Sequence, residues 1–262
     1  MASTITMFRG FKSPGVHVWS PFVNKLETRF RLAGLSYRVE PGSPLQAPRG
    51  KIPYISIANP DSGDQPPTLL GDSTLIIEKL EADGLLDDLN SKLSPVENAR
   101  DLALRALLED RLYFYQNYER WHVNYYTMRP GVLWAMPYPV QVVVGLLAYR
   151  KIASTLSGQG TMRYSYEEIG AFRRHIWESI DALLTESRNK KKVEDGPSDS
   201  PFWVLGGDGP SEVDATVFGF VSSALVCTAG PDSMKLVKSL PNVVEYAHRI
   251  HQTYFPDYTL WD

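Results

Sequence analysis

The 262-residue chain has one cysteine, Cys227, so no internal disulfide can form and the framework of a small stapled secreted domain is excluded. Histidine is scarce, with five residues, and no His, Cys, Asp and Glu cluster has metal-ligand spacing; His248 and His251 share one helical face without a third ligand nearby. Surplus charge is lacking too. A net charge of −3 supplies no general attraction to nucleic acid or to an anionic membrane. No apolar run approaches the roughly 20 residues of a membrane-crossing helix. The nearest, Val140 to Ala148, is short and contains Gln141. Met1 to Gly10 has no basic flank followed by a long apolar core, which argues against a signal peptide and for a cytoplasmic protein without a membrane anchor. Gly206-Gly207-Asp208-Gly209 reads as a turn, not a phosphate loop, and no segment repeats. What is present is ordinary: 43% hydrophobic and 22% charged residues, suited to one or two domains with a sizeable core.

The most informative stretch is Trp19-Ser20-Pro21-Phe22-Val23-Asn24-Lys25-Leu26. Phe22, Leu26, Phe30 and Ala33 recur at helical spacing and predict one apolar stripe, with Gly34 as the C′ residue. Ser20 falls at the N-cap and Pro21 at the first helical position, where its missing N–H costs nothing. A plain cap accounts for this pair; a hydroxyl beside free backbone donors at the positive end of a helix also suits an anion. Around this helix, Ile5 to Phe8, Leu35 to Val39, Gly50 to Ile55 and Leu69 to Gly71 read as strands, and Asp72 to Leu80 as a turn and a helix start. Glu40 to Arg49 reads as a linker. Asn59 to Pro67 reads as the long loop of a hairpin.

From Ser94 the pattern becomes helical. Ser94-Pro95-Val96-Glu97 is a capping box that opens a long helix to about Tyr126, with Arg129-Pro130-Gly131 breaking it or the next segment. Pro139 to Thr155, apolar nearly all round, predicts a buried helix. Ser165 to Glu186 predicts a third, and Arg188 to Ser200, with Lys190-Lys191-Lys192, a mobile surface loop. Ser211-Glu212-Val213-Asp214 is a second capping box before an apolar helix, which makes Asp214 structural; Pro241 to Ile250 is the last helix.

Taken in order, the Ser-Pro helix start, Lys51-Ile52-Pro53 and Asp72-Ser73 resemble the glutathione transferase superfamily, most nearly its failed-axon-connections and metaxin-like branch. The resemblance implies an α/β thioredoxin-like N-terminal domain, residues 1–84, followed by an all-α helical-bundle C-terminal domain, residues 94–262. It implies that Ser20 contacts the glutathione sulfur and favours its thiolate, and that Lys51, Ile52, Pro53, Asp72 and Ser73 hold the tripeptide. In the family the bond before this proline is cis. Strand termination also explains Pro53, and helix capping alone explains Asp72 and Ser73. A co-substrate pocket between the domains would draw on His17, Trp19, Tyr118, Trp121, His122, Tyr125 and Arg129; an aromatic stripe at this spacing suits a core as well as a pocket. Two features depart from the pattern. Ser13-Pro14 offers a second register, although only Ser20-Pro21 begins a helical stripe, and Val23 removes any Cys-x-x-Cys chemistry. The implied function is transfer of glutathione to an apolar electrophile, or glutathione-assisted isomerisation or elimination, in a homodimer. The alternative is a non-catalytic, metaxin-like interaction module.

Overall fold

The computed structural model describes residues 4–58, 66–195 and 199–261. β1 (Thr4–Phe8) leads through a loop into α1 (Pro21–Leu32), which returns to β2 (Arg38–Glu40), parallel to β1 with Met7 opposite Val39. Residues 41–53 make turns in place of a helix. β3 (Tyr54–Ala58) runs antiparallel to β1, and β4 (Thr68–Gly71) antiparallel to β3, giving the order β2-β1-β3-β4. β3 and β4 form the expected hairpin; most of its loop, 59–65, lies outside the described residues. α2 (Ser73–Ala82) follows at once. Ile5, Met7, Leu26, Phe30, Ile55, Ile76 and Leu80 fill the space between the sheet and the two helices.

The helical part begins with α3 (Pro95–Leu107), opened by the Ser94/Glu97 box. Its helical path continues through a π segment at Leu108–Leu112, α4 (Tyr113–Asn117) and a second π segment at Tyr118–Val123. The break falls at Asn124 (φ −109°, ψ 37°), close to the expected end near Tyr126, and the next segment, α5 (Tyr125–Val132), carries Pro130 inside it and stops just after the expected breaker at 129–131. α6 (Tyr138–Gln159) follows, then α7 (Tyr166–Asp195), α8 (Glu212–Val226), α9 (Pro231–Lys238) and α10 (Pro241–Tyr254).

α8 is the centre. It is buried from Glu212 to Leu225, and Val213, Val217, Phe218, Val221 and Ala224 stand in a core shared with α7 and α10. Its cap is the expected box: the Ser211 N–H and hydroxyl donate to Asp214 (2.8 and 3.0 Å), as do the Val204 N–H and Tyr246 hydroxyl (2.8 and 3.0 Å). α1 packs directly on α8 at Gly219, where a Cβ would stand 2.7 Å from the Lys25 nitrogen and the Pro21 carbonyl oxygen.

Three expectations change. α1 is buried on most sides, not along one stripe, because the sheet covers one face and α8 another. Its inward polar groups are paired instead: Asn24 with Val18 and Ser222, Lys25 with Glu109, and Arg29 with Glu212 and Glu81. α6, expected to be buried all round, exposes Val140, Val143, Leu146 and Leu147. The lysine run 190–192, expected in a loop, continues α7, since Arg, Lys and Glu are good helix formers where no packing is demanded.

Candidate functional site

The strand register brings three turns to one end of the sheet. Tyr54, the first residue of β3, faces Phe8, the last of β1, and Gly71, the last of β4. Pro53 therefore adjoins the loop after β1 and the Gly71-Asp72-Ser73 turn. The Ile52–Pro53 bond is cis. The Ile52 side chain lies against Gly10, where a Cβ would come within 2.2 Å of it. Ser20, half-buried, caps α1: its hydroxyl oxygen accepts the Val23 N–H at 3.4 Å. Ser13-Pro14 lies in an exposed bend, so the helix starts at the second Ser-Pro. Asp72 caps α2, accepting from Thr74 N (3.1 Å) and Leu75 N (3.4 Å), with φ at +82°. That backbone value costs of order 1–3 kcal/mol in a residue with a side chain, so the turn is held against an intrinsic preference. Ser73 is buried beside it and Lys51 is exposed.

Side chains that motif reading passed over brace this end. Arg120, in the second π segment, donates to the Trp19 carbonyl at 2.8 Å and to Ser223 at 3.2 Å; Ser223 also donates to the Trp19 carbonyl at 2.6 Å. The residue before Ser20 is thus tied to α8. Lys25, 1% exposed, pairs with Glu109 of the first π segment at 2.6 Å and donates to Thr74 at 3.0 Å. A π turn rotates the side chains that follow it, which lets Glu109 and Arg120 both reach the first helix from one long path. The Trp134 indole, after α5, donates to the Gly10 carbonyl at 3.3 Å. None of these carried a local sequence signal, because each partner is distant in the chain.

The residues expected to line a co-substrate pocket separate into three groups. His17 is not in a cleft: it is 5% exposed, its Nε2 lies 3.0 Å from His251 Nδ1, and Phe218, Phe255, Tyr258 and Trp261 surround it. Burial, then His251 and Arg9, push its pKa down to about 3. The reason is the C-terminal tail, which crosses the loop before α1 through Thr259 N to Gly15 O at 2.9 Å and fixes His17 inward. Trp121 is buried in a small core with Met128 and Cys227, and Trp19 packs on its edge. A Cβ on Gly131 would stand 2.2 Å from the Trp19 ring, so α5 rests on that indole. Tyr118, His122 and Tyr125 remain together and half-buried; His122 stacks on Tyr149, with the Tyr118 ring tilted against it, and is hydrogen-bonded to the Tyr149 hydroxyl at 3.1 Å. Arg129 lies over the rings of Tyr125, Tyr126 and Tyr138.

A βαβ unit followed by a β-hairpin and helix, with a helix N-terminus and a proline turn at one sheet end, is a thioredoxin-like domain, and its partner is a helical domain packed on α1. The chain belongs to the glutathione transferase superfamily: residues 21–128 match the model of the glutathione S-transferase N-terminal domain, and residues 200–250 that of the C-terminal domain. It is 25% identical to Failed axon connections of Drosophila melanogaster over 270 residues, covering 98% of this chain and 59% of that protein. The fold is similar to that of Ure2p in complex with glutathione, with TM-score 0.55 and 12% identity over 95% of this chain and 90% of that one. It is also similar to the β-etherase LigF of Sphingobium sp. strain SYK-6, with TM-score 0.57 and 13% identity over 95% of each chain.

Proposed function

We propose that the chain binds glutathione at this end of the sheet and activates its sulfur with Ser20, for conjugation, isomerisation or elimination at an apolar electrophile. The observation that carries the reading is the convergence of the Ser20 cap, the Ile52-Pro53 turn and the Asp72-Ser73 cap on one sheet end. Ser73, at the N-terminus of α2, would take the γ-glutamyl carboxylate, where backbone donors and the helix dipole favour an anion. Ile52 would pair its backbone with the extended tripeptide, and Lys51 would meet the glycine carboxylate. A free thiol titrates near 8.5. A hydroxyl donor plus a helix terminus contribute about 2 kcal/mol to a thiolate, enough to bring it to roughly pH 7.

The test is the ultraviolet thiolate absorbance of bound glutathione as a function of pH. The wild-type complex should titrate about 1–2 units below free glutathione. Ser20→Asn, which keeps the cap and the helix terminus but removes the hydroxyl, should move the titration back toward the free value by about half of that shift. Identical titrations would remove Ser20 from the chemistry. The second reading, an interaction module that keeps the fold without turnover, is favoured by one observation: His17 and Trp121, expected at the acceptor pocket, stand in cores. Under that reading bound glutathione supports no turnover with any electrophile.

A further inference from the structure

We propose that the α5–α6 hairpin docks the protein on an anionic lipid surface, with α6 lying in the interface. α6 packs one side on the second π segment and α5 and turns the other outward. On that outer face stand Val140, Val143 and Leu147, at i, i+3 and i+7, flanked by Val142 and Leu146. Val143 is 61% exposed and Leu147 58%. Tyr138 and Tyr126, the latter 80% exposed, lie at the N-terminal end of this strip, with the Arg129 guanidinium 5.4 and 6.0 Å from their ring centroids. Arg150 and Lys151 continue the same ridges at the other end and are exposed. The strip spans about 14 Å, the length of a shallow interfacial contact. No single helix among the described residues is long and apolar enough to cross a membrane, so the face lies on a bilayer rather than through it.

Charge identifies the occupant. From Trp121 to Tyr166 there is no Asp or Glu, while Arg129, Arg150, Lys151 and Arg163 give this stretch +4 in a chain of net −3. The whole-chain charge conceals this asymmetry. A second copy of the same face would bring cations and apolar residues but no carboxylate to pair with them. An anionic bilayer offers both an aliphatic layer for Val143 and Leu147 and phosphate or carboxylate headgroups for Arg129, Arg150 and Lys151, with tyrosines at the boundary. Residues 129–199, which hold most of the strip, lie between the two matched domain regions. The inference stands independently of glutathione binding.

The test is co-sedimentation of the full chain with sucrose-loaded vesicles, of phosphatidylcholine alone and with roughly one-third phosphatidylserine. Wild type should partition onto the phosphatidylserine vesicles at least tenfold better than onto phosphatidylcholine, and less so in high salt. Val143→Asp with Leu147→Asp, both at exposed positions, should abolish binding with an unchanged melting curve. Arg150→Glu with Lys151→Glu should lower it tenfold or more. Absence of vesicle binding at low ionic strength, or binding unchanged by the Asp pair, would overturn the proposal. So would a dimer in sedimentation velocity that the Asp pair dissolves in a protein that ignores vesicles.

Discussion

Acidification should loosen the C-terminal tail through His17. In the fold this ring is neutral: burial, the His251 ring beside it and the Arg9 cation hold its pKa near 3, against an ordinary value of 6.5. A base depressed in the fold binds its proton more readily when unfolded, so its contribution to stability is complete above about pH 6.5 and is lost as pH falls toward 3. At pH 5 the loss relative to pH 8 is about 2 kcal/mol, rising to about 5 kcal/mol below pH 3. His251, also lowered by burial, adds to the loss in the same direction. In a chain of this size 2 kcal/mol lowers the melting temperature by roughly 4–8 °C. The contrast is with His17→Phe, which keeps an aromatic ring among Phe218, Phe255 and Trp261 and cannot titrate. Urea unfolding of both proteins at pH 8, 6.5 and 5 should show the wild type losing about 2 kcal/mol more than the variant by pH 5. Parallel losses would mean that His17 accepts a proton without penalty and that its burial has no energetic consequence.

Other changes probe the contacts that brace the sheet end. Gly219→Ala places a methyl against the α1 backbone and should destabilise by about 1–3 kcal/mol in denaturant titrations. Lys25→Met alone leaves the Glu109 carboxylate without its cation and should cost about 3 kcal/mol; adding Glu109→Gln should recover most of that, read as a double-mutant cycle of unfolding free energies. Gly131→Ala forces the Trp19 indole or α5 aside, and should shift tryptophan fluorescence and lower the melting temperature, whereas Gly158→Ala, facing open space in α6, should raise it slightly.

Much of the scaffold is written in local signals. Caps at Ser20, Ser94 and Ser211 were legible because a cap and its donors lie within three residues of one another. What was illegible depends on distant partners. The burial of Lys25 and Arg29 requires Glu109 and Glu212, and charged residues on a helix ordinarily signal solvent. His17 turns inward because Thr259 and His251 arrive from the far end of the chain. α6 misled in the opposite sense: valine and leucine all round imply burial only where a second layer exists, and here one face has none among the described residues. The turns at Ile52-Pro53 and Asp72-Ser73 were recognisable as motifs, but only the register of Tyr54 between Phe8 and Gly71 puts them side by side.

Calorimetric titration with reduced glutathione bears most directly on the proposed site, run on wild type and on Ser73→Ala. Binding in the micromolar to low-millimolar range, weakened about tenfold or more when the Ser73 hydroxyl is removed, is the expected result, since a lost hydrogen bond to a charged group costs about 1.5–3 kcal/mol. No heat and no thermal stabilisation at saturating glutathione would contradict it, and would leave the sheet end as a structural inheritance without its ligand.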